Sequence, residues 1–410
     1  MARERAVLVL NAGSSSLKYA IYNFLKEGTI KRTVQGLVEQ IGTSRSSISH
    51  HSLTGAPIPG ADAAGSVKLA TELADHKVAL QKATEYMHHE ANLHIAGVGH
   101  RVVHGGESLT ASTLIDKRVK GLIQEHSALA PLHNPPNLVG IEVAEQLFPV
   151  PQVAVFDTSF HSTMPEEAYT YGLPFSLYKE LGIRRYGFHG TSYLYLTRET
   201  ARLLNKPPEK LNAIMFHIGA GASVAAIKGG ESVDTSMGVT PLEGLVMATR
   251  CGDVDPSLVK ILKDHKGLSP DDVDTLMNKK SGLLGLTGTS DMRTVVERAA
   301  AGDAQAGLGL KVWVHRARKY LGAYLVHLRG DVDAIVFSAG IGERSVVVRQ
   351  MICEGLERFG IEIDNAKNED VKKKGGDISK DGSRIKVLVV PTDEELCIAQ
   401  ETIRVIDTVG

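Results

Sequence analysis

The sequence predicts an α/β protein of two domains, and three observations carry that expectation. Strand-like apolar runs alternate with helix-like stretches along the chain, the pattern of layered α/β folds. The 410 residues, 43% of them hydrophobic, are enough for two cores of ordinary size. A strand–turn–strand pattern near the start, AVLVLNAGSSSLKYAIY, returns far downstream as NAIMFHIGAGASVAAI, which points to two related halves.

In the first copy, residues 6–10 read as a buried strand and residues 17–22 as a second one. Between them lies a small polar turn with Asn11, Ser14 and Ser16. Such a tip exposes backbone N–H groups and hydroxyls at one end of a sheet, which suits a phosphate, and Lys18 adds a cation close by. An isolated Gly/Ser turn is more often an ordinary hairpin. The second copy shifts the balance: a strand at 213–216 leads into Gly219, Ala220, Gly221, Ala222 and Ser223. Two such tips facing each other across a cleft would hold both ends of a polyphosphate.

The remaining elements follow in order. Residues 33–41 are mixed and fit no single template. Residues 47–65, punctuated by Gly55, Pro57, Pro59 and Gly60, read as a loop, and 66–90 as a helix. Residues 96–103 form a strand ending in a polar knot, GHRVVHGG. Helices are expected at 115–129, ended before Pro131, and at 137–148. Residues 153–157, VAVFD, are a short buried strand with Asp157 at its carboxyl end, where ligands gather in open α/β sheets. The irregular run TSFHSTMPEEAYTYGLP is the expected domain crossing. It divides a first domain, residues 1–160 with 386–410, from a second, residues 161–385. Beyond it come RRYGFHGTS, a helix at 193–204, the second hairpin, and the segment DTSMGVTPLEGLVMATR. Helices fill 255–330, the longest at 304–328. A strand at 333–337 feeds a glycine turn, SAGIGERS, and a helix at 346–359. Residues 365–384 read as a charged surface excursion. A strand at 386–390 and an acidic-headed helix at 392–406 close the chain.

Composition narrows the partners. A formal net charge of −1 gives no reason to expect nucleic acid or an anionic membrane. Three cysteines, Cys251, Cys353 and Cys397, lack metal-like spacing and read as free thiols in a reducing compartment. No apolar run approaches the roughly 18 residues of a membrane span. The five apolar residues before Asn11 are too few for a signal-peptide core, so a cytoplasmic protein is expected. None of the 16 histidines shows zinc-type spacing with a third ligand nearby.

Several residues suit phosphoryl chemistry. The strand, Gly340, Gly342 and helix of residues 338–345 make a close-backbone nucleotide site, without the GxGxxG of a dinucleotide fold. Arg101 and Arg250 lie in glycine-bounded polar knots, and arginine grips carboxylate or phosphate with a planar fork; a structural ion pair is the commoner fate. His189, flanked by small residues in GFHGTS, offers a donor to a transferring phosphoryl group. Asp157 and Glu394 are carboxylates of the kind that hold magnesium, and Asn11 supplies a neutral oxygen. For Glu394 the alternative is favourable charge at a helix N-terminus.

The motifs VLVLNAGSSSLKY, GHRVVHGG, APLHNP, VAVFDTSFH, RRYGFHGTS, DTSMGVTPLEGLVMATRCGD, SGLLG, SAGIGE and PTDEEL occur in the order seen in acetate kinases. The chain resembles that family from Val7 to its final helix. The resemblance implies the two-domain fold shared by acetate and sugar kinases, heat-shock chaperones and actin, with duplicated ribonuclease H-like α/β domains around a nucleotide cleft. It implies reversible, Mg2+-dependent phosphoryl transfer between ATP and acetate, giving ADP and acetyl phosphate, in a homodimer; Mn2+ is an alternative ion. Asn11 and Glu394 then match the metal site, and Lys18 a nucleotide-phosphate contact. Arg101 matches the acetate-carboxylate contact, Asp157 a catalytic residue, and His189 with Arg250 the pair that stabilises the transition state. His217, Ile218, Gly219, Ala220 and Gly221 match a phosphate loop. Asp291, Met292 and Arg293, with Gly340, Ile341, Gly342, Glu343 and Arg344, match the adenosine side. Val103, Leu132, Phe188 and Pro241 match the pocket for the acetate methyl group. Two positions depart from the family pattern: Ala220 where the loop usually has asparagine, and Arg344 where the late turn does. Propionate as acceptor and pyrophosphate as donor stay open beside acetate and ATP, as does an ATP-binding module without metabolic activity.

Overall fold

The computed structural model describes residues 5–25, 28–55, 58–62, 65–89, 94–371 and 374–409. Two β-sheets carry the chain. The first contains β1 (Arg5–Ala12), β2 (Leu17–Phe24), β3 (Ile30–Glu39), β4 (Ser47–Ser52), β5 (Ser66–Ala70), β6 (Ile95–Val102), β7 (Thr113–Leu114) and β8 (Gln152–Phe156). Their order is β5-β4-β3-β2-β1-β6-β8-β7. The second contains β9 (Ala213–Ile218), β10 (Ala222–Lys228), β11 (Glu231–Thr235), β12 (Ala334–Ser338), β13 (Gly376–Asp377) and β14 (Lys386–Val389), in the order β11-β10-β9-β12-β14-β13.

Five strands of each sheet repeat one pattern. In β3-β2-β1-β6-β8 the first two pairings are antiparallel and the last two parallel. The same directions run through β11-β10-β9-β12-β14. Each glycine- or serine-tipped hairpin is thus the second antiparallel pair of this pattern, β2-β1 in one sheet and β10-β9 in the other. The chain divides into two compact units, Met1–Phe160 with Asp393–Gly410, and His161–Thr392. The sequence reading put residues 386–392 in the first domain. They belong to the second unit, because β14 forms a parallel ladder with β12 from Ala334↔Lys386 to Phe337↔Val389.

The apolar run of β1 follows from burial on both faces of its sheet. Leu8 and Leu10 pack with Tyr19, Ile21, Leu80 and Ala144 on one side. Val7 and Val9 pack with Ile398, Ala399 and Ile403 of the helix Glu394–Val409 on the other. Glycine in β6 lets that helix approach: a Cβ on Gly99 would stand 2.2 Å from Thr402 Oγ1. This close seating fixes where the helix begins, and hence where Glu394 stands. In the second sheet Phe216 and Phe337 stack across β9 and β12 with centroids 5.3 Å apart.

Several expectations are corrected by partners distant in sequence. Residues 33–41, which fit no single template, supply most of β3, Ile30–Glu39. The expected loop at 47–65 contains β4, whose Ile48, His50 and Ser52 alternate inward between β3 and β5. The expected helix at 66–90 is β5 followed by the shorter helix His76–Met87, started by Asp75, whose side chain accepts the Val78 N–H. Pro57 and Glu90 lie outside the described residues. The helix expected at 115–129 ends at Glu125 and continues as a single 3-10 turn, and that at 346–359 ends at Cys353. The glycine turn after β12 is a short helix, Ala339–Arg344. The expected surface excursion at 365–384 contributes the helix Asn365–Asp370 and β13, and it buries Asn368, Ile378 and Ser379; Lys372 and Lys373 lie outside the described residues. Among the described residues no helix is long and apolar enough to cross a membrane, and all three cysteines are free.

Candidate active site

In the first unit β6 and β8 run side by side and parallel, which brings Arg101 and Asp157 together at their carboxyl ends. Arg101 Nε donates to Asp157 Oδ1 at 3.0 Å, and Nη2 to Oδ2 at 2.6 Å, a two-point fork. The Asp157 N–H donates to Val102 O at 2.9 Å, which pins the acid to the strand end. The Arg101 side chain keeps 23% of its exposure and that of Asp157 only 2%, so the guanidinium is open to solvent and the carboxylate lies behind it. Burial works against the Arg101 cation, but Asp157 outweighs it and holds the guanidinium above its usual range.

The first tip lies in the same unit. Gly13 N–H donates to Ser16 O at 2.8 Å and closes the turn, leaving Ser14 exposed and Ser16 half-buried. Asn11 faces Lys18 in the β1–β2 register. At the head of the closing helix, Asp393 accepts the Leu396 N–H and the Tyr22 O–H, both at 2.9 Å. The next residue, Glu394, is half-buried. Burial raises its pKa; Arg101 and Lys18 pull it back, while Asp157 and Asp393 push it further up. Val103, just past β6, is 5% exposed, whereas Leu132 is 57% exposed and its apolar side chain faces solvent.

In the second unit the site gathers around the β9–β10 tip. His189 adopts φ +60°, a left-handed conformation costly for a residue with a Cβ, at the start of the helix Gly190–Leu203. Its Nδ1 pairs with Ser223 Oγ at 2.8 Å, and the same hydroxyl meets Tyr193 Oη at 2.6 Å. The ring stacks on His217 at 4.0 Å, and His217 Nδ1 pairs with Ser192 Oγ at 2.8 Å. A Cβ on Gly221 would lie 3.4 Å from His189 Nε2 and 3.6 Å from Arg250 Nη1, so the tip lies close to both nitrogens.

Arg250 is the electrostatic anomaly. Its Nη1 donates to Pro241 O at 3.1 Å, and among the described residues it has no carboxylate partner. Burial alone lowers its pKa. A half-buried cation with no counter-ion among the described residues, beside a histidine nitrogen and a glycine tip, has the chemistry to receive an anion.

A cavity of 660 Å³ opens next to this tip. It brings together Gly219, Ala220, Asp291, Met292, Arg293, Gly340, Ile341 and Arg344. Its volume lies within the range of about 300–1,000 Å³ of small-molecule sites. Ala339, which opens the helix behind it, is a second left-handed non-glycine residue (φ +63°). Five expected members of this unit do not line the cavity, and one of them, Gly221, faces His189 and Arg250 instead. Ile218 is fully buried in β9, His217 is held in the histidine stack, Gly342 packs on Phe337, and Glu343 Oε1 accepts the Thr392 N–H at 3.2 Å. Val296, Val346, Val347 and Glu369 line it and escaped the sequence reading. Met292 and Val296 stand four apart on one helix, a spacing that could have revealed Val296. A second cavity, of 600 Å³, is apolar, and two of its arginines are spent on backbone carbonyls: Arg318 on Met351, Ile352 and Glu354, Arg384 on Gly330 and Phe359.

The carboxylates that act on Glu394 are those of Asp157 and Asp393. Among the described residues no three His, Cys, Asp or Glu side chains are grouped to hold a metal unaided. Magnesium takes one or two carboxylates and completes its shell with water and phosphate. The like charges raising the Glu394 pKa are what a divalent cation would relieve.

A model of the acetokinase family matches residues 6–400. The acetate kinase of Oleidesulfovibrio alaskensis is 47% identical over 407 residues, covering 98% of this chain and 99% of that protein. That of Natranaerobius thermophilus is 48% identical over 403 residues, covering 96% and 98%. Among solved structures, acetate kinase from Porphyromonas gingivalis is 39% identical with a TM-score of 0.89, covering 98% of this chain and 100% of that one. A propionate kinase from Francisella tularensis is 38% identical with a TM-score of 0.89, covering 98% and 99%. The fold is the duplicated two-domain α/β architecture of these kinases.

Proposed function

The chain belongs to the acetokinase family, and we propose that it catalyses reversible phosphoryl transfer from ATP to acetate, giving ADP and acetyl phosphate. The observation that carries this reading is Arg250, a half-buried guanidinium without a counter-ion beside His189 Nε2 and Gly221. The nucleotide occupies the adjoining 660 Å³ cavity.

The acceptor needs no activation by a base. A carboxylic acid with a pKa of about 4 is ionised at neutral pH. Catalysis is therefore positioning and charge neutralisation, as in other phosphoryl transfers. Arg101 orients the acetate carboxylate, and Val103 meets its methyl group. Asp157 spends both oxygens on Arg101, so it acts by fixing that guanidinium and not as a base. Arg250 and His189 Nε2 bear the negative charge that spreads over the transferring group. Ser223 and His217 hold the imidazole so that Nε2 points forward. Asn11 and Glu394 would hold magnesium, which supplies charge neutralisation for the phosphates. A homodimer in the cytoplasm belongs to the same reading.

The test is acetyl phosphate formation from ATP and acetate, trapped with hydroxylamine and repeated with propionate and with pyrophosphate. Acetate with ATP should give the highest kcat/KM. Propionate outrunning acetate would make the chain a propionate kinase. Activity only with pyrophosphate would overturn the nucleotide assignment, and ATP binding without turnover would leave a binding module.

A further inference from the structure

The helix Asn134–Leu147 carries Asn134, Asn137 and Gly140 at intervals of three, on one face. The two asparagines are 0% and 4% exposed. Each spends both ends of its amide on backbone. Asn137 Oδ1 accepts the Val103 N–H at 3.1 Å, and its Nδ2 donates to Ala12 O at 2.7 Å. Asn134 Oδ1 accepts the His104 N–H at 3.0 Å, and its Nδ2 donates to His104 O at 2.9 Å. The backbone partners leave no ambiguity about which end of each amide is oxygen. Gly140 brings the helix close enough for this, since a Cβ there would lie 2.8 Å from Ala12 Cβ.

Ala12 and Val103 are 91 positions apart in sequence, but they flank the two working parts of the first unit. Ala12 is the last residue of β1, between Asn11 and the serine tip. Val103 is the first residue beyond β6, two past Arg101. One buried amide bridges the loop ends at both places. We propose that Asn137 is a positioning residue that sets the acetate pocket against the metal- and phosphate-binding tip, with Asn134 holding the following residue in register. The claim rests on the acetate kinase reading given above.

The two ends of the amide separate by substitution. Asn137→Asp keeps an oxygen for the Val103 N–H but loses the donor to Ala12 O. Asn137→Ala loses both. The alanine variant should therefore raise the acetate KM about tenfold and lower kcat about tenfold, with the ATP KM within twofold of wild type. The aspartate variant should keep an acetate KM near wild type while its kcat falls and its half-saturating Mg2+ concentration rises. A residue that merely supported the fold would lower the yield of folded enzyme without dividing acetate KM from Mg2+ dependence. Should Asn137→Ala not fold, the nearly isosteric Asn137→Asp carries the test, with hydrogen exchange at the Val103 amide as a second readout, expected to stay protected. Wild-type turnover of acetate, with all three constants unchanged in both variants, would overturn the positioning role alone. A wild-type chain inert toward acetate would overturn the reaction assignment, and the role built on it.

Discussion

Replacing Arg250 with alanine separates a functional cation from a structural one. The guanidinium has no carboxylate partner among the described residues, and burial alone acts on its pKa. Its charge is thus a burden on the folded protein until an anion arrives. During phosphoryl transfer, negative charge gathers beside it. Opposite unit charges about 4 Å apart attract by about 4 kcal/mol at an effective dielectric of about 20. At about 1.4 kcal/mol per decade, Arg250→Ala should lower kcat about a thousandfold. Stability should move the other way. No ion pair is broken, the half-buried Pro241 carbonyl can turn to water, and an unpaired cation is gone, so Tm should hold or rise. Arg250→Lys keeps the charge but loses the planar fork, and should fall between the two. Hydroxamate initial rates give kcat and KM, and thermal unfolding without ligand gives Tm. A loss of less than tenfold in kcat, or a Tm lowered by several degrees, would refute the assignment of Arg250 to transition-state charge.

Other outcomes follow from the same geometry. Asp157→Asn should lose rate without a new acidic limb in its pH–rate profile, because the acid orients Arg101; stripping the partner from this mostly buried pair should also cost about 3 kcal/mol of stability by denaturant unfolding. Glu394 has a raised pKa, so its contribution to stability is full below its ordinary value and is lost as pH rises through the folded value. Glu394→Gln should therefore raise Tm at pH 7 to 8 but not near pH 4, while abolishing the rise in Tm that Mg2+ gives the wild type. Val103→Ala should raise the propionate-to-acetate ratio of kcat/KM about tenfold, since one methylene is worth roughly 1–3 kcal/mol in an apolar pocket; an unchanged ratio would remove Val103 from that pocket.

Much of this site was readable in the chain because its signals are local. The small-residue tips sit directly between strands, Asp157 ends an apolar run, and glycines bound both Arg101 and Arg250. What escaped reading depends on distant partners. SISHHS looks like a polar loop until β3 and β5 flank it and turn Ile48, His50 and Ser52 inward. SAGIGERS looks like a turn, yet buried Arg349 donates to the Gly342 and Glu343 carbonyls and secures it as a helix. Asn134 and Asn137 sit where prolines and polar residues commonly open a helix. Only the fold reveals that their amides face Ala12, Val103 and His104. Leu132, at a position matching the family pocket, is an exposed apolar residue, which its sequence context does not reveal.

Direct transfer from nucleotide to acetate is the claim on which every assigned role depends, and its rival is a route through a phosphorylated Glu394. A turnover with ATP chiral at the γ-phosphorus decides between them. Inversion of configuration in acetyl phosphate is the predicted result. Retention would mean two successive transfers, and would replace the direct route with a phosphorylated enzyme.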